Sequence, residues 1–324
     1  MGSGYWSTDV YEAARSYRAR TGASAFAHTD SGATTVHPAL DPYGVTVRES
    51  RDSDDHPESL AIAVLFDVTG SMGTVPRVLQ TKLPSLLGLL QRKGYVEHPH
   101  ILFGGIGDAT CDRAPLQIGQ FEADNRMDDD LGRILLEGGG GGQMTESYEL
   151  AMYFMARHTS IDCHDRRGRR GYLFMIGDEL AYPVVKRREI EKVIGDRVAE
   201  DIPVREIVRE LRTRYDVYFI IPEGSYHAAD PRLKEFWRDL LGQNVLFLDD
   251  LDAVCETIAL TVGLGEESID LETGLEHLRE MGSDAGPSVS RALARLEASR
   301  VPVAVSPGPR GLGGSGRGAG TTRL

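Results

Sequence analysis

The stretch LAIAVLFDVTGSMG, residues 60–73, passes from an unbroken apolar run into an aspartate, two hydroxyl side chains and two glycines. An uninterrupted apolar run of this length suits a strand covered on both faces, because a half-exposed strand would alternate apolar with polar residues. The chain therefore leaves its core at Asp67 with a carboxylate and no large side chain to cover it.

The pattern repeats downstream. HILFGGIGD (100–108), APLQIGQF (114–121), GYLFMIGDE (171–179), DVYFIIP (216–222) and NVLFL (244–248) read as further strands. Between them lie helical stretches. VPRVLQTKLPSLLGLLQRKG carries Val75, Leu79, Leu83, Leu86, Leu87 and Leu90 at helical spacing, with Pro76 suited to a first turn and Pro84 expected to kink it. NRMDDDLGRILLE, ESYELAMYFMARH, PRLKEFWRDLLG and DLDAVCETIALTVGL read as helices too, and charged helical segments run up to Arg214. Strands alternating with helices predict an α/β fold, a doubly wound and mainly parallel sheet with helices on both faces, over residues 59–264.

Around that domain, residues 1–58 read as an arm with one helix from about Thr8 to Arg20, capped by Ser7 or Thr8 and ended at Gly22. Phe26, Val36, Leu40, Tyr43, Val45 and Val47 stand singly among its turn residues. Such isolated hydrophobes suit a segment lying along another surface, so part of the arm is expected to pack on 59–264. Residues 265–299 read as a helical extension, and 300–324 as a Gly/Pro-rich disordered tail.

The 324-residue chain is 41% apolar and 26% charged, enough to bury a large core. Asp and Glu number 49 against 36 Lys and Arg, a formal charge of −13, which repels a phosphate backbone and argues against nucleic acid as a partner. No apolar stretch is long enough to span a bilayer, and no apolar leader is visible at the start. Three widely spaced cysteines make no disulfide framework, so a cytoplasmic protein is expected.

Ligands of open α/β sheets sit at the carboxyl ends of the strands. The polar residues expected there are Asp67, Thr69 and Ser71 after the first strand, Asp108 after HILFGGIG, Thr145 after the glycine loop GGGGG (138–142), and Asp178 with Glu179 after LFMIG. Asp67, Thr69, Ser71, Thr145 and Asp178 offer carboxylate and hydroxyl oxygens, without sulfur or imidazole. That donor set suits Mg²⁺, with Mn²⁺ and Ca²⁺ as alternatives, and disfavours Zn²⁺. Asp67, Thr69 and Ser71 alone would serve equally as a cap and turn opening the next helix. The glycine loop lacks the lysine of a phosphate loop, having Met144 before Thr145. His98 and His100, with the cysteines, lack the spacing of a zinc site.

Asp67-Val68-Thr69-Gly70-Ser71 resembles the Asp-x-Ser-x-Ser signature of the von Willebrand factor type A domain, which opens a metal-ion-dependent adhesion site. The family's separate threonine matches Thr145 and its later aspartate matches Asp178; Thr69 stands where serine is usual, and Glu179 follows where glycine is usual. The resemblance implies a Mg²⁺-dependent protein-binding module in which a partner's Asp or Glu completes the coordination, a scaffold or adaptor, in some relatives of an ATPase complex, and not an enzyme. The alternative is a Mg²⁺-dependent phosphatase of haloacid-dehalogenase type with Asp67 as nucleophile. That enzyme needs a second carboxyl group two residues on to protonate the leaving group, and Thr69 cannot do this.

Overall fold

The computed structural model describes residues 4–138 and 144–300, without the side chains of 71, 295 and 297–300. Most of the glycine loop, the Ser71 hydroxyl and the tail beyond 300 thus lie outside the described residues.

Six strands form one sheet: β1 (Leu60–Asp67), β2 (Pro99–Ile106), β3 (Leu116–Ile118), β4 (Gly171–Ile176), β5 (Tyr215–Pro222) and β6 (Val245–Leu248). Their order is β6-β5-β4-β1-β2-β3. All neighbours are parallel except β3, which runs antiparallel to β2. The exception follows from chain length, since residues 107–115 are too few for a crossover, and only an antiparallel return closes over so short a link. β1 is buried at every position, as its apolar run requires. The chain is thus mixed α/β around a mostly parallel sheet.

The helices of eight residues or more among the described residues follow the expected segments. They are α1 (Thr8–Thr21), α2 (Val75–Leu87), α3 (Arg126–Arg133), α4 (Tyr148–Arg157), α5 (Val204–Leu211), α6 (Pro231–Leu241), α7 (Val254–Gly265), α8 (Leu271–Glu280) and α9 (Gly286–Arg300). Pro84 lies inside α2, and the helix widens into a π turn over Gly88–Arg92 just beyond it. α2 packs on α7, and α4 packs on α5. α7 is buried almost all round, which matches its nearly uninterrupted apolar sequence. No helix among the described residues is long and apolar enough to cross a membrane. Cys111, Cys163 and Cys255 form no disulfide with one another.

The arm lies on the sheet body. The Ser7 hydroxyl caps α1 by accepting from the Val10 N–H, and Gly22 ends it in the left-handed conformation at φ 71°. Tyr11 is buried, and its hydroxyl donates to the Gln80 carbonyl of α2 at 2.8 Å. Phe26 and Leu40 are buried, whereas Tyr43 stays exposed. The Ile118 N–H of edge strand β3 donates to the Leu40 carbonyl at 2.8 Å, so the arm covers a sheet edge that would otherwise present unpaired backbone. Further on, Arg48–Ser50 pairs in parallel with Thr159–Ile161. At the other end of the chain, Leu278 of α8 with Val289 and Leu293 of α9 join the same hydrophobic core.

Candidate functional site

The register of the sheet brings the expected residues to one end. Phe66 of β1 is level with Ile176 of β4, and Asp67 is level with Ile106 of β2. Asp67, the turn at Asp108 and Asp178 therefore leave neighbouring strands together. The short strand Thr145–Glu146 pairs in parallel with Leu180–Ala181, which carries Thr145 from a distant loop to the exit of β4.

Asp67 is fully buried. Its Oδ1 accepts the Thr69 backbone N–H at 2.7 Å and the Thr69 hydroxyl at 2.6 Å. The Tyr148 hydroxyl approaches its other oxygen at 3.5 Å. Burial pushes the Asp67 carboxyl up to about 7; the bonds from Thr69 oppose this, and the nearby Asp178 and Asp112 add to it. Asp178 is likewise fully buried, and its Oδ2 accepts the His227 N–H at 3.0 Å. Between β4 and Asp178 stands Gly177, where a Cβ would fall 1.8 Å from the Tyr148 hydroxyl. Only glycine lets that ring sit under the aspartates.

Asp108 lies in the turn that links the antiparallel strands β2 and β3. It is buried, its Oδ1 accepts the Thr110 N–H at 2.8 Å, and its Oδ2 accepts the Tyr182 hydroxyl at 2.9 Å. The Tyr182 hydroxyl also meets the side chains of Thr110 and Thr145. The Thr145 hydroxyl thus joins a network running from Asp108, beside the aspartates.

Two glutamates crowd the same place. Glu146 is 3% exposed, and its Oε2 has no hydrogen-bond partner. Burial, followed by the charges of Asp67 and Glu179, pushes its carboxyl up to about 11. Glu179, also buried with an unpartnered Oε2, is pushed up to about 8 by burial and then by Asp67 and Asp178. The Glu179 backbone carbonyl is fixed by the Trp237 indole N–H at 2.9 Å. Sequence reasoning flagged Glu179 and missed Glu146, Asp112, Tyr148 and Tyr182. The one signal for Glu146 was its position between Thr145 and the apolar helix Tyr148–Arg157.

The structure brings Asp67, Thr69, Thr145 and Asp178 to one end of the sheet, and the Ser71 hydroxyl lies outside the described side chains. Among the described residues, no group of three or more His, Cys, Asp or Glu side chains is gathered so as to hold a metal ion. The expected ligand set has two such side chains, Asp67 and Asp178, and otherwise hydroxyls.

No protein-family model and no curated protein matches the sequence. Solved structures match in outline. The pilus adhesin SpaC from Lactobacillus rhamnosus GG aligns with 68% of this chain and 30% of its own, at 9% identity and a TM-score of 0.45. Proximal thread matrix protein 1 from the mussel byssus aligns with 70% of this chain and 47% of its own, at 9% identity and a TM-score of 0.42. The chain spans less than half the length of either.

Proposed function

We propose that this chain is a von Willebrand factor type A-like module with a doubly wound sheet, which binds a protein partner through a divalent cation, Mg²⁺ or a similar hard ion, at the carboxyl ends of β1 and β4. One observation carries the reading. Buried carboxylate oxygens of Glu146 and Glu179 lack a hydrogen-bond partner beside Asp67 and Asp178, and the His227 ring stands 3.7 Å from Glu179. Buried carboxylates left over in this way call for a cation or for protons.

Asp67 and Asp178 would hold the ion, with the hydroxyls of Thr69, Ser71 and Thr145 as neutral donors. When bound, the dication supplies a positive charge that a partner's Asp or Glu can ligate. Thr69 holds the Asp67 carboxylate in place through two hydrogen bonds, so the group is already oriented. The His227 N–H does the same for Asp178.

Calorimetric titration with MgCl₂ at neutral pH tests the proposal. Saturable heat is expected for the wild type and none for Asp67→Ala; heat equal in both, or absent in both, overturns it. A pulldown in Mg²⁺ against EDTA, with Asp67→Ala alongside, then tests the partner.

A further inference from the structure

At the opposite end of the sheet, where β1 and β2 begin, three histidines pack together. His56 comes from the link between the arm and β1, and His98 and His100 come from the start of β2. The ring centroids of His56 lie 5.4 Å from His98 and 5.1 Å from His100. His56 Nε2 bonds the Gly4 carbonyl at 2.9 Å, and Tyr5 packs on the same ring with centroids 4.6 Å apart. The Tyr5 hydroxyl in turn donates to the Asp55 carbonyl at 2.5 Å. His100 Nδ1 meets the buried Ser50 hydroxyl at 3.1 Å. The cluster therefore ties two arm segments, residues 4–5 and 50–56, to the sheet.

We propose that this cluster is an acid-released latch for the arm, which holds only while His100 stays neutral. The geometry fixes why. A carbonyl only accepts, so His56 Nε2 carries its proton toward Gly4, and in the neutral ring Nδ1 is bare. His56 Nδ1 faces His98 Nδ1 at 3.3 Å, so His98 must donate there. His56 and His98 thus face each other across one shared proton, and the His56 ring packs edge-on against His100. Whichever nitrogen of His100 bears the proton of the neutral ring, a second proton charges a buried ring whose Nε2 has no hydrogen-bond partner.

The charged groups around the cluster do not relieve this. Asp52 faces His100 but is taken up by the Ser59 N–H and hydroxyl and by Arg167. Asp124 faces His56 but is taken up by Arg126. Glu97 is 3.8 Å from His98 Nε2 and largely exposed, where solvent screens it. Burial, then His56, lowers His100 from 6.5 to about 4. The closed latch thus binds fewer protons than the open one. Closure is full above pH 6.5, weakens as pH falls through the window from 6.5 to about 4, and changes no further below it through this residue. Within the window, one excluded proton weakens closure about tenfold per pH unit.

Amide hydrogen exchange of the full chain, corrected for intrinsic rates at each pH, provides the test. Protection of amides in 51–58 is expected to fall about tenfold per pH unit below 6.5, while Ile62 in β1 holds. In the double variant His98→Gln, His100→Gln the fall is expected to vanish. A flat wild-type profile overturns the latch, as does an equal fall in the variant. Should the variant lose protection at Ile62, the wild-type histidine Cε1–H resonances decide. They must titrate together with the opening of 51–58, and titration at a separate pH overturns the proposal.

Discussion

The two ends of one sheet bury charge in opposite ways. At the amino end of β1, carboxylates are matched by cations from the chain itself. Asp162 receives Arg51 at 2.7 Å, the Asp52 N–H at 2.9 Å and Arg166 at 3.3 Å. Asp52 receives Arg167, which also donates to the Ser59 carbonyl. Burial alone would raise the Asp52 carboxyl, but the bonds from Ser59 and Arg167 outweigh it and hold the group below its ordinary value. At the carboxyl end, burial wins: Asp67, Glu146 and Glu179 are all raised. A charge paired within the chain serves the fold; on the proposed reading, a charge left over would serve a cation that the chain does not supply.

The sharpest way to break this contrast is to remove a cation at the amino end. Arg167→Ala takes the nearest cation from Asp52, which keeps the bonds from Ser59, and a donor from the Ser59 carbonyl, within a mostly buried network. Removing one partner of a buried pair costs about 3–5 kcal/mol, and the low end is expected here because Arg167 is partly exposed. Urea unfolding measures it. A loss below about 1 kcal/mol would make the network an ordinary surface one.

The next effect belongs to the carboxyl end and has the opposite dependence on pH. Asp67 is raised from 3.8 to about 7, so the folded, cation-free chain binds more protons than the unfolded one. Its stability falls as pH rises through that window. A dication that takes the place of those protons restores the loss. At a concentration one hundred times its Kd, Mg²⁺ is expected to add about 2.7 kcal/mol. The thermal shift is therefore expected to be larger at pH 7 than at pH 5, and absent in Asp67→Ala. A shift independent of pH and present in the variant would place the ion elsewhere.

How much of this was legible in the sequence depends on the range of the contact. The apolar run of β1, its aspartate and the Thr69 hydroxyl lie within a few residues of one another, and local pattern revealed them. The docking of the arm was legible in its isolated hydrophobes, and Leu40 is buried where Tyr43, three residues on, is not. The antiparallel sense of β3 was a matter of link length and not of pattern. Glu146 was not legible because a glutamate reads as a surface residue until its strand pairs with Leu180–Ala181. The histidine cluster was not legible either. His98 and His100 stand two apart, so an extended backbone points them to one face, but His56 reaches them across 42 residues with no local mark.

Glu146 sharpens the comparison further. Since its carboxyl is buried and without a partner on one oxygen, Glu146→Gln keeps the shape while removing the charge that the chain must suppress. In cation-free protein this substitution is expected to raise stability by about 1–2 kcal/mol at alkaline pH and to do little at acid pH. Chemical denaturation at both pH values checks it. Loss of stability at both would mean that the Glu146 carboxylate has a structural partner after all.

The smallest effect expected is at Thr69, where the chain departs from the serine usual in the domain it resembles. The Thr69 hydroxyl and backbone N–H both hold Asp67, and the backbone bond survives any substitution there. Thr69→Ser keeps the hydroxyl and loses one buried methyl, a cost of about 1 kcal/mol. Thr69→Val keeps the size and loses the hydroxyl, leaving Asp67 one donor short. If the hydroxyl serves an ion, the serine variant retains the full Mg²⁺ thermal shift and the valine variant loses most of it, although the serine variant lacks the methyl. If the hydroxyl only orients the turn, the two variants differ in stability without Mg²⁺ and respond to it alike. The pair separates an oxygen kept for a cation from an oxygen kept for the fold, which is the distinction drawn between the two ends of the sheet.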